Sequence, residues 1–221
     1  MSDERHSFAV QQELISDPEE RARREAENGV RQVYLALVII REHIQDPERP
    51  FRLAPRHILQ LHREALAGIH PLAGTYRNGP VQIGKSKHVP PDAFLVAEEV
   101  QHLCDYVNEH WHDASPLHLM AYVLWRLNWI HAFADGNGRT ARAVSYVVLS
   151  ISLNSLLPGT PTIPDQIASD KNPYYEALEA ADLGWKETGQ VDVSAMEHLL
   201  EMLLAKQLVS AADQAVGSES T

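Results

Sequence analysis

The feature that most constrains the fold is a pair of apolar segments separated by a short glycine-containing loop. Residues 116–130 are apolar on nearly every face of a predicted helix, and residues 139–152 form a second apolar segment. A helix that is apolar all round has to be covered by other elements on every side. The chain of 221 residues therefore needs further helices around this pair, and it is long enough to supply them within one core.

Several other segments supply these helices. Apolar residues recur at helical spacing in the regions 33–44, 58–69 and 96–107, and in two shorter regions at about 173–182 and 193–208. We therefore predict an all-α fold, a mainly helical bundle of six to eight helices. No internal repeat interrupts this pattern, so a single helical domain is expected.

The two ends differ in composition from this helical body. Residues 1–18 are predicted to be a flexible N-terminus, and the small, polar tail 209–221 is predicted to be disordered. The domain, with an N-terminal helical extension, is expected over residues 19–208. Cys104 is the only cysteine, so no intrachain disulfide can form, and no apolar leader or long apolar span is evident. These features predict a soluble, cytoplasmic protein that does not enter a membrane.

The segment 72–91 is rich in glycine and proline and reads differently from the helices. Val81, Gln82 and Ile83 form a β-prone piece that is followed by a turn at Gly84 and a second such piece at 87–89. We predict a small β-hairpin here, with an irregular loop as the alternative.

The loop between the two apolar helices contains the residues that are most suited to binding or catalysis. Its backbone at Gly136, Asn137 and Gly138 leads into a helix start, where N–H groups can bind an anion. Arg139 and Arg142 project from one side of the first turn and suit a di- or triphosphate.

Two further side chains frame this predicted phosphate site. Asp135 is a carboxylate beside it, and a single carboxylate together with phosphate oxygens is a usual way to hold Mg²⁺. His131 ends the first apolar helix and has the ordinary pKa of a general base. Individually such residues are most often helix caps, turns or surface groups, but together in twelve residues they indicate a site.

Charge and the absence of other motifs narrow the function further. The chain has 19 Lys and Arg against 30 Asp and Glu, a net charge of −11, which argues against nucleic-acid binding. No P-loop, G-x-S-x-G or H-E-x-x-H pattern is present. The twelve histidines lack zinc spacing.

The sequence HAFADGNGRTAR at 131–142 resembles the Fic motif, HPFx[DE]GNGRxxR, of the Fic/Doc family. Ala132 replaces the proline that is usual in the family, at a position without a chemical role. The runs 74–77, 81–84 and 90–91 resemble the family's flap region, and the likeness extends over residues 30–205. The resemblance implies a Fic-type helical bundle with one small hairpin flap.

The resemblance implies protein adenylylation, the transfer of AMP from ATP to a Tyr, Ser or Thr hydroxyl of a target protein. His131 would be the general base, and Asp135 would hold Mg²⁺. The motif residues that would bind the nucleotide or its phosphates are Gly136, Asn137, Gly138, Arg139 and Arg142. Asn137 and Arg139 would also act in catalysis.

Two further roles follow from the resemblance alone. The flap residues Val81, Gln82, Ile83 and Gly84 would dock an extended target segment by β-augmentation. Tyr175, next to Tyr174, would line the adenine pocket, or either tyrosine would simply pack in the core.

Glu27, followed by Asn28, matches the end of the family's inhibitory pattern [ST]xxxE[GN], although position 23 is Arg. Inhibition through Glu27, control by a separate antitoxin-like chain, and no such control are the three alternatives.

Two other functions stay open at this point. One is a kinase-like or other nucleotidyl or phosphocholine transferase of the same fold, and the other is a non-catalytic, Fic-like regulatory protein. Gly138 favours AMP transfer, because the kinase-like Doc branch usually has lysine there.

Overall fold

A computed structural model describes residues 7–8, 14–46, 48 and 50–218. Eight α-helices, one 3₁₀ helix and two short strands account for its regular structure. In chain order they are β1 (Ser7–Phe8), α1 (Pro18–Ile44), α2 (Pro55–Leu66), β2 (Gln82–Ile83), the 3₁₀ helix Ala93–Leu95, α3 (Val96–Glu109), α4 (Pro116–Ile130), α5 (Asn137–Ser152), α6 (Ile163–Ser169), α7 (Asn172–Thr188) and α8 (Ser194–Ser218). The predicted mainly helical fold is confirmed.

Helix α4 forms the centre of the bundle, as its all-round apolar sequence predicts. Ten of its 15 residues are buried, and α4 packs most extensively against α5, with α3, α7 and α8 also against it. Ser115 caps its first turn, and Pro116 occupies the first helical position, where its missing N–H costs nothing. The loop that follows α4 is therefore anchored on the most buried helix of the protein.

Arg126 is the one charged residue within this central helix, and its charge is balanced locally. Its guanidinium donates to Glu99 at 2.8 Å and lies 4.1 Å from the ring centre of Trp129 and 4.9 Å from that of Trp185. Cation–π contacts and a charge-assisted hydrogen bond together compensate for the lost hydration. A charged residue is therefore compatible with the core that α4 builds.

Helix α1 is the N-terminal extension, and it packs on α2 and α5. Asn28 is fully buried and donates its amide to the carbonyls of Ala65 and Ala67, and Gln32 donates to that of Leu61. Asn28 thus satisfies carbonyls at the end of α2 that have no helical partner. These bonds fix the middle of α1, and so determine where its first turns lie.

The structure departs from the sequence predictions in two places. The flap is not a hairpin: β2 pairs antiparallel with β1, from the N-terminal region, and residues 87–89 form no strand. The predicted disordered tail, residues 209–221, is helical as far as Ser218 because α8 continues. Of the predicted flexible N-terminus, residues 1–6 and 9–13 lie outside the described residues, as do 219–221 at the other end.

Candidate active site

A cavity of about 480 Å³ opens where α4 ends and α5 begins. The first turns of α1, the flap and α7 form its other walls. Its lining includes, from the predicted site, His131, Asp135, Gly136, Asn137, Gly138, Arg139, Arg142, Tyr175 and Ile83. The structure therefore brings the twelve-residue motif, the flap and Tyr175, the tyrosine predicted to line the adenine pocket, together around one cavity.

His131 caps the C-terminus of α4 in a left-handed conformation, with φ of 50°. A non-glycine residue rarely adopts this conformation, and its occurrence in a buried histidine points to a functional constraint. The ring Nδ1 lies 3.3 Å from the Asn128 carbonyl oxygen, so Nδ1 carries the proton and Nε2 the lone pair. Burial lowers the pKa of His131 from 6.5 to about 4, so the ring is neutral at pH 7.

Arg77 holds the turn that carries His131. Its side chain is buried, at 4% exposure, and its guanidinium donates to the carbonyls of His131 at 2.8 Å and Ile130 at 3.4 Å. The same group donates to the carbonyls of Gly79, at 3.0 Å, and of Pro91. One cation thus ties the end of α4 to both ends of the flap segment. From the sequence, Arg77 was noted only as part of the flap resemblance, and its contact with the turn that carries His131 was not predicted.

The loop after His131 is closed by Asn137. Its Oδ1 accepts from the Phe133 N–H at 2.9 Å, and its Nδ2 donates to the Phe133 carbonyl at 2.8 Å. The Asn137 side chain is therefore turned back into the loop and fixes its shape. Phe133 is 1% exposed, so its side chain anchors the loop in the core.

His62 supports the same loop from α2. Its ring stacks on Phe133 with centroids 3.7 Å apart, its Nε2 donates to the Asp135 carbonyl at 3.0 Å, and its Nδ1 accepts from the Gly74 N–H. Burial lowers the pKa of His62 to about 4, which keeps it neutral and preserves this donor–acceptor pattern. No sequence signal marked His62, because its partner groups are backbone atoms far along the chain.

Gly136 is required at the start of α5. Its φ is +76°, and a Cβ there would lie 2.4 Å from the Leu66 side chain. Only glycine combines this conformation with so close an approach. The loop is thereby pressed against α2, and the first turn of α5, with its N–H groups, is aimed into the cavity.

The predicted metal ligand and phosphate ligands are linked by ion pairs in this structure. Asp135 Oδ2 lies 3.0 Å from Arg139 and 3.3 Å from Arg21 of α1, and Oδ1 accepts from the Gly136 N–H. Glu25 of α1 lies 3.1 Å from Arg139 and 3.2 Å from Arg21. Two residues of α1 that sequence reasoning missed, Arg21 and Glu25, therefore lie over the end of the cavity where phosphates are predicted to bind.

Glu27, the residue predicted to inhibit, lies elsewhere on α1. It pairs with Arg24, one turn earlier, at 3.6 Å, and about half of its side chain is exposed. Among the described residues that line the cavity, the α1 carboxylate is that of Glu25. Glu25 and Glu27 are two residues apart, and on a helix this separation rotates one side chain by about 200° relative to the other.

The far end of the cavity is formed by α7. Tyr175 and Asp182 line it, and Tyr174 is 2% exposed, with its hydroxyl accepting from Asn128 at 2.7 Å. Asn128 also donates to the Leu124 carbonyl, so it connects this end to the helix that carries His131. The structure thus places both tyrosines at the cavity wall, although Tyr174 is largely buried in the core.

The cavity wall offers an oxygen ligand that suits a small metal ion. In the part of the chain that the structure describes, no three His, Cys, Asp or Glu residues cluster as a metal site. Asp135 offers one carboxylate at the cavity wall, which fits Mg²⁺ held by a single carboxylate together with ligand phosphates.

Across the described residues, no helix is both long and apolar enough to span a bilayer.

These features define a helical domain in which a tight loop aims a helix N-terminus at a cavity beside a neutral histidine. A family model, the Fic/DOC family, matches residues 52–149, and this stretch is a domain of that family. The match includes the flap, His131 and the complete motif.

Comparison with known proteins agrees with this assignment. The chain is 33% identical over 129 residues to a protein adenylyltransferase Fic from Nematostella vectensis, covering 58% of this chain and 28% of that relative. It therefore spans little more than a quarter of that protein. Among solved structures, a Caenorhabditis elegans Fic-1 fragment superposes with a TM-score of 0.63 at 22% identity, covering 93% of this chain and 54% of the other.

A Fic domain-containing signalling protein from Bacteroides thetaiotaomicron superposes with a TM-score of 0.65 at 21% identity, covering 86% and 72%. At this level of identity the two structural likenesses establish the fold alone.

Proposed function

We propose that this chain transfers AMP from ATP to a hydroxyl side chain of a target protein. The observation that carries the proposal is a buried, neutral His131 at the edge of a cavity that also presents Arg139 and Arg142. The name of the Nematostella relative, protein adenylyltransferase Fic, supports the same activity. The intact motif argues against a non-catalytic Fic-like protein.

His131 is suited to take the proton of the attacking hydroxyl. Its Nδ1–H is directed to the Asn128 carbonyl, so the Nε2 lone pair is the proton acceptor. A pKa of about 4 keeps the acceptor neutral across the physiological range, and Arg77 fixes the turn that orients it. The hydroxyl oxygen attacks the α-phosphorus, the α–β phosphoanhydride bond breaks, and pyrophosphate leaves.

The phosphates would lie against the first turn of α5. In a chain of net charge −11, four cationic residues line this one cavity: Arg21, Arg139, Arg142 and Lys171. Phosphoryl-type transfer depends mainly on positioning and on charge stabilisation, which such residues provide. Mg²⁺, held by Asp135 and the phosphate oxygens, would neutralise further charge on the departing pyrophosphate.

The donor is proposed to be ATP with its base toward α7 and Tyr175. Glycine at position 138 leaves room for the Arg142 guanidinium, because a Cβ there would lie 3.3 Å from that proposed phosphate ligand. The single cysteine, Cys104, is buried and free, which fits a reducing compartment such as the cytoplasm.

We also propose that Glu25, with Arg21, restrains the activity by occupying Arg139 and Asp135. The carboxylate lies where a phosphate oxygen would otherwise accept from Arg139. This assignment replaces Glu27, and because the competing carboxylate belongs to the same chain, it needs no antitoxin-like partner.

Labelled ATP tests both proposals. With Mg²⁺ present, label from the α-phosphate should be retained on protein and label from the γ-phosphate should not. Retention of γ label would instead indicate a kinase-like transfer. Retention of neither, in wild type and in Glu25→Gln alike, would contradict the proposed activity.

Comparison of Glu25→Gln with Glu27→Gln tests the restraint. A charge-assisted contact is worth about 1.5–3 kcal/mol, so Glu25→Gln should raise the rate by roughly tenfold or more. Glu27→Gln, on the same helix and with the same chemical change, is the matched control and should leave the rate unchanged. Activation by Glu27→Gln instead would reverse the assignment.

A further inference from the structure

Side chains from the flap segment cap the end of α4, the helix that carries the proposed base. The last carbonyl groups of a helix have no donor within the helix. The carbonyls of Ile130 and His131 accept from the Arg77 guanidinium, at 3.4 and 2.8 Å. The preceding carbonyl, that of Trp129, accepts from Nε2 of His88 at 2.7 Å. His88 therefore holds α4 two residues before the proposed base.

A closed turn of the flap places His88 near this carbonyl. The Ser86 N–H donates to the Ile83 carbonyl at 3.3 Å, and the His88 N–H donates to the Ser86 hydroxyl at 3.2 Å. Lys85, inside the turn, has a left-handed φ of 58°. The turn starts where β2 ends, so its hydrogen bonds hold His88 at a fixed separation from the strand.

The other ring nitrogen of His88 faces α7. Its Nδ1 lies 3.9 Å from Oδ2 of Asp182, and Oδ1 of Asp182 accepts from the indole N–H of Trp125 at 2.8 Å. Trp125 belongs to α4 and is 1% exposed. The ring of His88 also packs beside that of Trp129, with centroids 5.5 Å apart. One side chain thus joins the flap to two helices that form the cavity wall.

Exposure distinguishes His88 from its neighbours in the flap. Its side chain is 12% exposed, whereas Val89 is 83% exposed, and Lys85 and Lys87 are exposed as well. A polar side chain is buried at little cost only where it has hydrogen-bond partners. The chain before β2 is held by Arg77, and the chain after β2 is held by His88.

We propose that His88 is a positioning residue that clamps the flap to α4 and α7 and so sets the distance between a docked target and His131. The catalytic consequence rests on the proposed function, whereas the clamp itself does not depend on activity. Because β2 is held on both sides, a hydroxyl presented at the flap would meet Nε2 of His131 without rearrangement of the site. A displacement of about 1 Å is enough to lower a rate about a hundredfold.

AMP transfer to the proteins of a whole-cell lysate tests the kinetic role. Label from α-labelled ATP is followed at a fixed amount of lysate while ATP is varied. His88→Ala should lower the apparent kcat roughly tenfold or more, with the KM for ATP unchanged because the phosphate ligands lie on α5. His102→Ala is the matched control: Nε2 of His102 also lies 3.9 Å from a carboxylate, that of Glu98, but its side chain is 60% exposed. An apparent kcat that is the same in both variants would overturn the positioning role.

Two amide variants at position 88 separate the hydrogen bond from the other properties of the ring. The amide nitrogen of glutamine reaches about as far as Nε2 of histidine and can still donate to the Trp129 carbonyl. The amide nitrogen of asparagine reaches only as far as Nδ1. His88→Gln should therefore recover most of the rate and His88→Asn should not, and neither side chain titrates, so charge cannot explain the difference. Equal losses in the two variants would contradict the role of this bond.

Limited digestion with trypsin tests the clamp independently of any activity. Lys85 lies in the flap between β2 and His88, and the substitution leaves the two residues after Lys85 intact. Cleavage follows the population of the open flap, so cleavage after Lys85 should be roughly tenfold faster in His88→Ala than in wild type. Mass spectrometry identifies the fragments, and His88→Gln and His102→Ala should be cleaved at the wild-type rate. Equal cleavage of wild type and His88→Ala would show that no clamp exists.

The two experiments separate the two possible failures. Faster cleavage of His88→Ala, with no label transferred by wild type or by Glu25→Gln, contradicts the proposed function and the positioning role while the clamp stands. Equal cleavage in an enzyme that does transfer label contradicts the clamp alone.

Discussion

Replacement of Arg77 by lysine should separate the positioning of His131 from the binding of ATP. The guanidinium donates to four carbonyls, of His131, Ile130, Gly79 and Pro91. A lysine ammonium keeps the charge but is a compact group that cannot span these acceptors in one plane. Hydrogen bonds to a charged group are worth about 1.5–3 kcal/mol each, so losing two of them costs about 3–6 kcal/mol.

That loss is smaller than, or comparable to, the stability of a typical domain, which is about 5–15 kcal/mol. The variant should therefore stay folded near 20 °C, while its melting temperature falls by roughly 6–24 °C, at about 2–4 °C per kcal/mol. The turn that carries His131 loses its main support, and a displacement of the base by about 1 Å is enough to lower kcat about a hundredfold. ATP affinity should change little, because the phosphate ligands lie on α5.

The assay is steady-state AMP transfer at 20 °C with kcat and KM for ATP measured separately, beside a thermal melt. Arg52→Lys, an exposed arginine before α2, is the control for the chemical change. A lower melting temperature with unchanged kcat would show that Arg77 stabilises the fold without positioning His131. No change in either quantity would refute the reasoning altogether.

Three other predictions concern the site. His131→Ala should bind Mg²⁺·ATP as the wild type does but transfer AMP about 10²–10⁴-fold more slowly, and a wild-type rate in a single-turnover assay would remove it as the base. Asp135→Asn should weaken Mg²⁺-dependent ATP binding with little change in melting temperature, and calorimetry with an unchanged affinity would exclude the residue as metal ligand. The pKa values of His62 and His131 are lowered from 6.5 to about 4, so below pH 6.5 the unfolded chain takes up protons that the folded chain does not. Denaturant titrations should therefore show stability falling from pH 7.5 to pH 5 by about 2 kcal/mol for each of these histidines, with His62→Gln reducing the fall.

The sequence predicts the central part of the fold well, and the reason is physical. The segment 116–130 has no polar face, so only a central helix suits it, and the tight loop after it contains its own glycine and asparagine signals. The groups that hold this loop escaped prediction. His62 and Arg77 bond to backbone atoms, and a backbone carbonyl leaves no mark in the sequence that would identify its partner.

The flap and α1 show a second kind of limit. β2 was located, but its partner was placed in the adjacent segment, because short β-prone pieces near one another favour a local hairpin. The real partner is a two-residue strand in a polar N-terminal segment with no strand pattern. Glu25 and Glu27 are equally acidic in the sequence, and only the rotation of α1, set by Asn28 and Gln32, decides which one meets Arg139.

The arrangement of α1 has a kinetic consequence. Glu25 and Arg21 lie in its first two turns, before the buried Asn28 that fastens the helix to α2. Their contacts can therefore open by fraying of the helix end, without loss of the core and without dissociation of any chain. Helix–coil relaxation takes about 0.1–1 μs, whereas enzymes turn over typically about 1–10³ times per second. The state in which Glu25 and Arg21 cover the site and the state in which they do not thus equilibrate many times per turnover. On the proposed restraint, α1 would therefore lower the rate by reducing the population of the uncovered state, and not through a slow opening step. This effect would be the same at any protein concentration.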